Sequence, residues 1–282
     1  MTMKRLHPQS DSAFDTSSRP EFVSYYAAQS VTPETFARFG VICDKVIRLW
    51  EGHNASTAPA LDVVDIGCGA GTSSQLWAER GHRVSGLDVN APLIDIARRR
   101  CRETELDIRF DVGTAASLPY PDESFDVCLL PELLEHVAEW EKCLEEAVRV
   151  LKPGAVLYLS TTNVLCPKQQ EFSLPLYSWY PGPLKRRYER LAVTTRPELA
   201  SFARYPAVNW FSFYGVRAWF GARGMLCLDR FDQMDADPLG PPARLALGLV
   251  RSLAPVRFLA HVMTPYLVIF ALKPPGSGST KT

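Results

Sequence analysis

A chain of 282 residues with 46% apolar positions can bury a full core, and its length suits one large domain with insertions better than two domains. Lysine plus arginine (31) equal aspartate plus glutamate (31), so no long-range attraction to nucleic acid is built in. The seven cysteines are odd in number, scattered and without any Cys-x-x-Cys pair, which argues for reduced thiols in a cytoplasmic setting and against structural zinc.

Residues 1–20 are polar, lack the apolar core of a signal peptide and read as a flexible N-terminus. Residues 21–273 read as a single domain, and 274–282, rich in Gly and Ser, as a disordered tail. Glu34 to Trp50 places Phe36, Phe39, Ile42, Val46 and Leu49 at helical spacing, which predicts a helix ahead of the core, with Gly52 to Pro59 as a linker.

A first strand is expected over Asp62–Ile66, running into Gly67-Cys68-Gly69-Ala70-Gly71-Thr72 and a helical pattern from Ser74. Glycines at alternating positions let a ligand lie against the backbone. A dinucleotide-binding turn would place its third glycine where this chain has Thr72. Spacing at 67, 69 and 71 instead suits the uncharged waist of a cofactor, with helix-start amides left for a carboxylate, as in the methionine tail of S-adenosylmethionine. A second strand, Arg83–Leu87, ends at Asp88, about 20 residues beyond the turn, where an acid accepts bonds from both ribose hydroxyls. Asp65, Gly67, Cys68, Gly69, Gly71, Asp88 and Val89 are therefore candidate cofactor residues. Thr114 and Ala115, after a third strand over Asp107–Phe110, are candidates for the adenine end, and Pro131, after a fourth over Phe125–Leu130, closes the set.

Next to Pro131, His136 is the candidate catalytic base, because a phenolic acceptor with a pKa near ~10 is mostly protonated at neutral pH. If the segment is helical from its start, Glu132, Glu135 and His136 share one face, and two carboxylates with an imidazole can bind a divalent metal. The plain alternative is a helix start whose acids favour the dipole. A fifth strand, Ala155–Ser160, precedes an aromatic and proline-rich insertion over 163–210, either a lid on a substrate pocket or a packed elaboration. A helix at Tyr214–Ala222 and strands at Met225–Phe231 and Tyr266–Leu272 follow. Between those strands lies a second insertion, 233–264, whose stretch from Pro241 to Met263 is apolar but carries Arg244, Arg251, Arg257 and His261. This composition suits an amphipathic element at a lipid surface, a cover for the sheet edge or a dimer face. The expected fold is α/β: a Rossmann-like, doubly wound, seven-stranded, mostly parallel sheet with an insertion after strand 5.

As an ordered set, Asp65 to Thr72, Asp88, Leu118 to Asp126 and Leu151-Lys152-Pro153-Gly154 resemble the successive motifs of class I S-adenosylmethionine-dependent methyltransferases. Glu132-x-x-Glu135-His136, with Thr161-Thr162-Asn163 after the fifth strand, is similar to the O-methyltransferases of ubiquinone biosynthesis, which act on polyprenyl-substituted catechols and phenols. The resemblance implies S-adenosylmethionine as cofactor, Mg2+ held by Glu132, Glu135 and His136, O-methylation of an aromatic or lipidic hydroxyl, and peripheral contact at the inner membrane face. Two positions depart from the pattern: Thr114 replaces a common acid, and Val164 a common arginine. C- or N-methylation and a non-catalytic cofactor-binding role stay open, while Thr72 disfavours a dehydrogenase.

Overall fold

In the computed structural model, which describes residues 20–57, 60–169, 171–200, 207 and 209–275, the chain opens with helices α1 (Pro20–Gln29) and α2 (Pro33–Asn54). Nearly all of the expected flexible N-terminus and disordered tail lies outside the described residues. The start of α2 is set locally: Thr32 Oγ1 accepts from the Thr35 amide at 3.3 Å, and Pro33 occupies the first turn, where its missing N–H costs nothing.

Strands β1 (Asp62–Ile66), β2 (Arg83–Asp88), β3 (Ile108–Val112), β4 (Phe125–Pro131), β5 (Leu151–Thr162), β6 (Leu226–Asp229) and β7 (Tyr266–Leu272) form one sheet in the order β3-β2-β1-β4-β5-β7-β6. The first five run parallel, and β7 is antiparallel to both β5 and β6. Helices α3 (Thr72–Glu79), α4 (Ala91–Glu103) and α5 (Trp140–Val150) supply the crossovers. Strand order reverses between β1 and β4, so a crevice is expected at their carboxyl ends.

Side-chain alternation builds the two layers. Val64, Ile66, Leu157 and Leu159 face α5 and α7 (Phe213–Gly221), whereas Val63, Val127, Val156 and Tyr158 face Cys43 and Val46 of α2 and Trp77 of α3. At the amino edge, Lys152 Nζ bridges Asp62 at 2.5 Å and Asp126 at 2.9 Å, which ties three parallel strands together far from their carboxyl ends.

Several boundaries differ from the sequence expectation. β5 begins four residues early because it continues straight from α5, and β6 ends at Asp229, whose Oδ1 accepts from the amides of Phe231 and Asp232 and turns the chain. The stretch from Pro241 is two helices, α8 (Pro241–Ser252) and α9 (Ala254–Val262), bent by 109° where Pro255 forbids continuation. Among the described residues no single helix is long and apolar enough to cross a membrane. In the insertion after β5, helix α6 (Gly182–Thr194) packs into a small core of its own, with Tyr177 stacked on Phe172 at 4.0 Å and Lys185 Nζ 4.5 Å from the Trp210 ring centre. Most of its aromatics therefore contact one another.

Candidate active site

Three glycines in the left-handed region shape the turn after β1, and each has a different neighbour. Gly67, Gly69 and Gly71 have φ of 76°, 52° and 82°. A Cβ on Gly67 would stand 2.9 Å from Leu133, and one on Gly71 would stand 2.9 Å from the Ala97 Cβ and 3.0 Å from Phe110, so these two let other elements close in. A Cβ on Gly69 would meet nothing within 4 Å. The space over Gly69 is thus open to a ligand.

Asp88 at the end of β2 is bound to this turn, its Oδ2 accepting from the Gly69 amide and its Oδ1 from the Asn90 amide, each at 2.8 Å. Burial raises its pKa, and each oxygen keeps a further lone pair for a hydroxyl donor. Val89, at 61% exposure, and Val112, the register partner of Asp88 at 49%, make an apolar rim beside that carboxylate. Thr114 is exposed on the same side, with Oγ1 accepting from the Ala116 amide at 3.3 Å. Asp65 lies fully buried under the turn: Ser74 donates to its Oδ2 at 2.7 Å, while Oδ1 has no partner among the described residues. Desolvation pushes its pKa up to about 6. The open glycine and the carboxylate at the end of β2 together offer a backbone cradle and a hydroxyl acceptor to a nucleoside-bearing ligand. Two candidates contribute backbone alone, because the Cys68 thiol packs among Ile94, Ala97 and Phe110 and Ala115 is buried in the main core.

The segment after β4 is a turn, and the expected helical face does not form: α5 begins only at Trp140. Glu132 takes φ 52°, its amide donates to Ser160 O at 2.9 Å, and its carboxylate pairs with Arg38 at 2.6 Å. Glu135 points the other way, buried, accepting from the Thr161 hydroxyl at 2.7 Å, with its pKa raised to about 8 by desolvation. His136 is exposed at the surface, with its pKa lowered to about 4 by desolvation. Glu132, Glu135 and His136 consequently do not form the metal site expected of them, and no group of three such side chains among the described residues is placed to hold an ion.

Sequence reasoning missed the opposite wall. Tyr26 of α1, Glu171 of the insertion and Tyr266 at the start of β7 adjoin Glu132 and Glu135, whose charges raise the pKa of both tyrosines after burial and Glu171 have done so. α1 is held over the glycine turn by Arg100, which donates to Ala27 O, Ser30 Oγ and Ala70 O at 3.0, 2.9 and 3.1 Å, and by Thr72 Oγ1, which donates to Ser30 O at 2.7 Å. Arg100 therefore ties α1 to the glycine turn.

Residues 64–159 match the family described as methyltransferase domain. The matched stretch runs from β1 through most of β5 and carries the glycine turn, Asp88 and the turn after β4. It is 34% identical over 117 residues to a ubiquinone biosynthesis O-methyltransferase of Coxiella burnetii, covering 42% of this chain and 50% of that one. It is 32% identical over 162 residues to a demethylmenaquinone methyltransferase of Renibacterium salmoninarum, covering 57% and 61%. The chain thus spans about half the length of the curated relatives it matches. The fold of the methyltransferase domain resembles that of the plantazolicin methyltransferase BpumL, solved with a desmethyl substrate analogue and SAH, with TM-score 0.58, 14% identity and 93% of each chain covered.

Proposed function

We propose that this protein transfers a methyl group from S-adenosylmethionine to the hydroxyl of a small molecule, with a polyprenyl phenol or catechol as the leading acceptor class. The observation that carries the reading is the open backbone at Gly69 locked to Asp88. Asp65, Gly67, Gly69, Gly71, Asp88, Val89, Thr114 and Pro131 would hold the cofactor, with Cys68 and Ala115 contributing backbone. When bound, that cofactor supplies a methyl group on a sulfonium, already attached to a good leaving group.

The chain's own task is then chiefly alignment, and fixing two reactants in near-attack geometry is worth roughly 7–11 kcal/mol in well-oriented model reactions. His136, neutral at pH 7, can accept a hydrogen bond from the acceptor hydroxyl, though as a weak base. Support for a lipidic acceptor comes from α8 and α9, which expose Leu245, Leu249, Leu253, Phe258, Leu259 and Met263. Asn163 at the end of β5 donates to His261 O at 2.8 Å and Thr264 O at 2.7 Å, which keeps the end of α9 at the edge that bears the site. Peripheral contact at the inner membrane face follows as part of the same proposal.

The reading is tested by incubating the protein with methyl-labelled cofactor and a cell extract and identifying the labelled product by mass spectrometry. A labelled isoprenoid phenol is the expected outcome. A labelled amine or carbon acceptor would replace O-methylation, and calorimetry showing no saturable binding of S-adenosylmethionine or S-adenosylhomocysteine would remove the function altogether.

A further inference from the structure

The insertion after β5 brings Glu171 to the edge where antiparallel β7 begins, and there the Tyr266 hydroxyl donates to Glu171 Oε1 at 3.1 Å. Tyr266 stands opposite Thr162 in the β5–β7 pairing, and the neighbouring Thr161 hydroxyl holds Glu135. Tyr266 also feels the charges of Glu132 and Glu135, which places the pair within electrostatic reach of the turn carrying Glu132, Leu133 and His136, and Leu133 in turn lies beside Gly67. Tyr26 of α1 faces the same group, and Arg38 is the cation that pairs with Glu132 there. Glu171 is buried while Tyr266 is partly open, so the phenol is the member of the pair that a ligand can touch.

On the proposed reading of O-methylation, we infer that Tyr266 and Glu171 form the proton-accepting wall of the acceptor subsite, with Tyr266 touching the acceptor hydroxyl and Glu171 positioning Tyr266 and taking its proton. As the acceptor oxygen forms its bond to the methyl carbon and the carbon–sulfur bond breaks, the sulfonium becomes a neutral thioether. The acceptor's O–H bond breaks with its proton passing to the Tyr266 oxygen, and the original Tyr266 proton passes to the Glu171 carboxylate, from which water removes it after release. The acceptor loses one proton and gains one methyl group, and Tyr266 is unchanged. Burial and the nearby Glu132 make Glu171 more basic than an ordinary carboxylate, which suits the end of such a relay. The weakly basic His136 is then free to orient the acceptor.

The test compares two acceptors, catechol, which is protonated at the assay pH, and a nitrocatechol, which is already largely anionic and needs no base. Tyr266→Phe and Glu171→Gln should lower kcat on catechol roughly a hundred-fold more than they lower kcat on the nitrocatechol. Calorimetric binding of S-adenosylhomocysteine should be unchanged in both variants, while catechol should bind somewhat more weakly to Tyr266→Phe. Equal losses on the two acceptors, or no loss on either, would overturn the relay while leaving the proposed function standing. A wild-type protein that binds S-adenosylhomocysteine but methylates neither acceptor would overturn the acceptor class and the relay with it. If one variant fails to bind S-adenosylhomocysteine, and so has lost its fold, the other decides.

Discussion

The Gly69 amide donates to Asp88 Oδ2 at 2.8 Å, so the carboxylate proposed to meet the ribose also fixes the turn proposed to cradle the cofactor. Asp88→Asn keeps one acceptor oxygen but sets an NH2 group against one of two amide donors, Gly69 or Asn90. A hydrogen bond to a charged group is worth about 1.5–3 kcal/mol, so S-adenosylhomocysteine should bind roughly ten- to a hundred-fold more weakly by calorimetry. Unchanged affinity would remove Asp88 from the site.

Gly69 and Gly71 should fail differently. Gly71→Ala drives a methyl group to within 2.9 Å of Ala97 and 3.0 Å of Phe110, so thermal stability should fall first and binding with it. Gly69→Ala meets no protein atom within 4 Å and carries only the left-handed backbone penalty of roughly 1–2 kcal/mol, yet its methyl group would occupy the cradle. Its melting temperature should drop modestly while cofactor binding is lost. The reverse order in paired melting and calorimetry experiments would show that the cradle lies elsewhere.

The contrast between these glycines explains how much was legible in sequence. Gly67, Gly69, Gly71 and Asp88 sit on contiguous strand-turn-helix units, where local spacing dictates local geometry, and the seven strands followed from the same periodicity. Glu132 and Glu135 were readable as residues but not as directions, because a left-handed Glu132 turns the backbone and sends the two carboxylates to Arg38 and Thr161. Tyr26, Glu171 and Tyr266 meet only through tertiary packing of three distant segments, and no spacing rule links positions so far apart. The aromatic insertion stayed open between a lid and a packed elaboration for a related reason: composition marks apolar side chains without saying whether they face a ligand or, as Phe172 and Tyr177 do, each other.

Divergence of Glu132, Glu135 and His136 carries its own prediction. The Arg38–Glu132 pair is exposed, and such pairs contribute roughly 0–1 kcal/mol, so Glu132→Gln should leave stability nearly unchanged. Turnover should also survive dialysis against a chelator, because the three side chains do not converge. A steep loss of kcat on chelation, restored by Mg2+, would show that the turn rearranges into a ligand set.

Membrane contact should depend on the exposed faces of α8 and α9. Their arginines donate to protein carbonyls and carboxylates, Arg244 to Leu239 O at 2.8 Å, Arg251 to Met234 O at 2.6 Å and Arg257 to Asp229 at 2.8 Å, so attraction should be more apolar than electrostatic. Co-sedimentation with phosphatidylcholine vesicles should therefore persist at moderate salt and disappear when Leu245, Leu249 and Leu259 are changed to Ser. Vesicle binding that is absent in the wild type, or unaffected by the triple substitution, would assign this face another role.

Glu135 should make the fold lose stability as pH rises through neutrality. Its pKa is about 8 in the folded protein, against an ordinary carboxylate value of about 4.5, so between these values the native state holds a proton that the unfolded chain has lost. Stability then falls with increasing pH, by at most about 1.4 kcal/mol per pH unit for one group, and levels off above the folded pKa. His136, with its pKa lowered to about 4, works in the opposite sense but only below the ordinary histidine value of 6.5, Asp65, half-titrated near 6, adds to the fall up to about pH 7, and Lys185, lowered to about 8 by desolvation, opposes it toward pH 8 and above. The contribution of Glu135 is therefore read as the difference between wild type and Glu135→Gln over pH 6.5 to 8, where the other groups are common to both. Glu135→Gln keeps an acceptor for the Thr161 hydroxyl without the buried charge, so it should raise the denaturation midpoint at pH 8 and shrink the slope across that window. Asp88 and Glu171, also raised by burial, act with the same sign. Urea titrations giving the wild type and Glu135→Gln the same pH dependence would mean that Glu135 is solvated, and that the wall beside Thr161 is wetter than its packing implies.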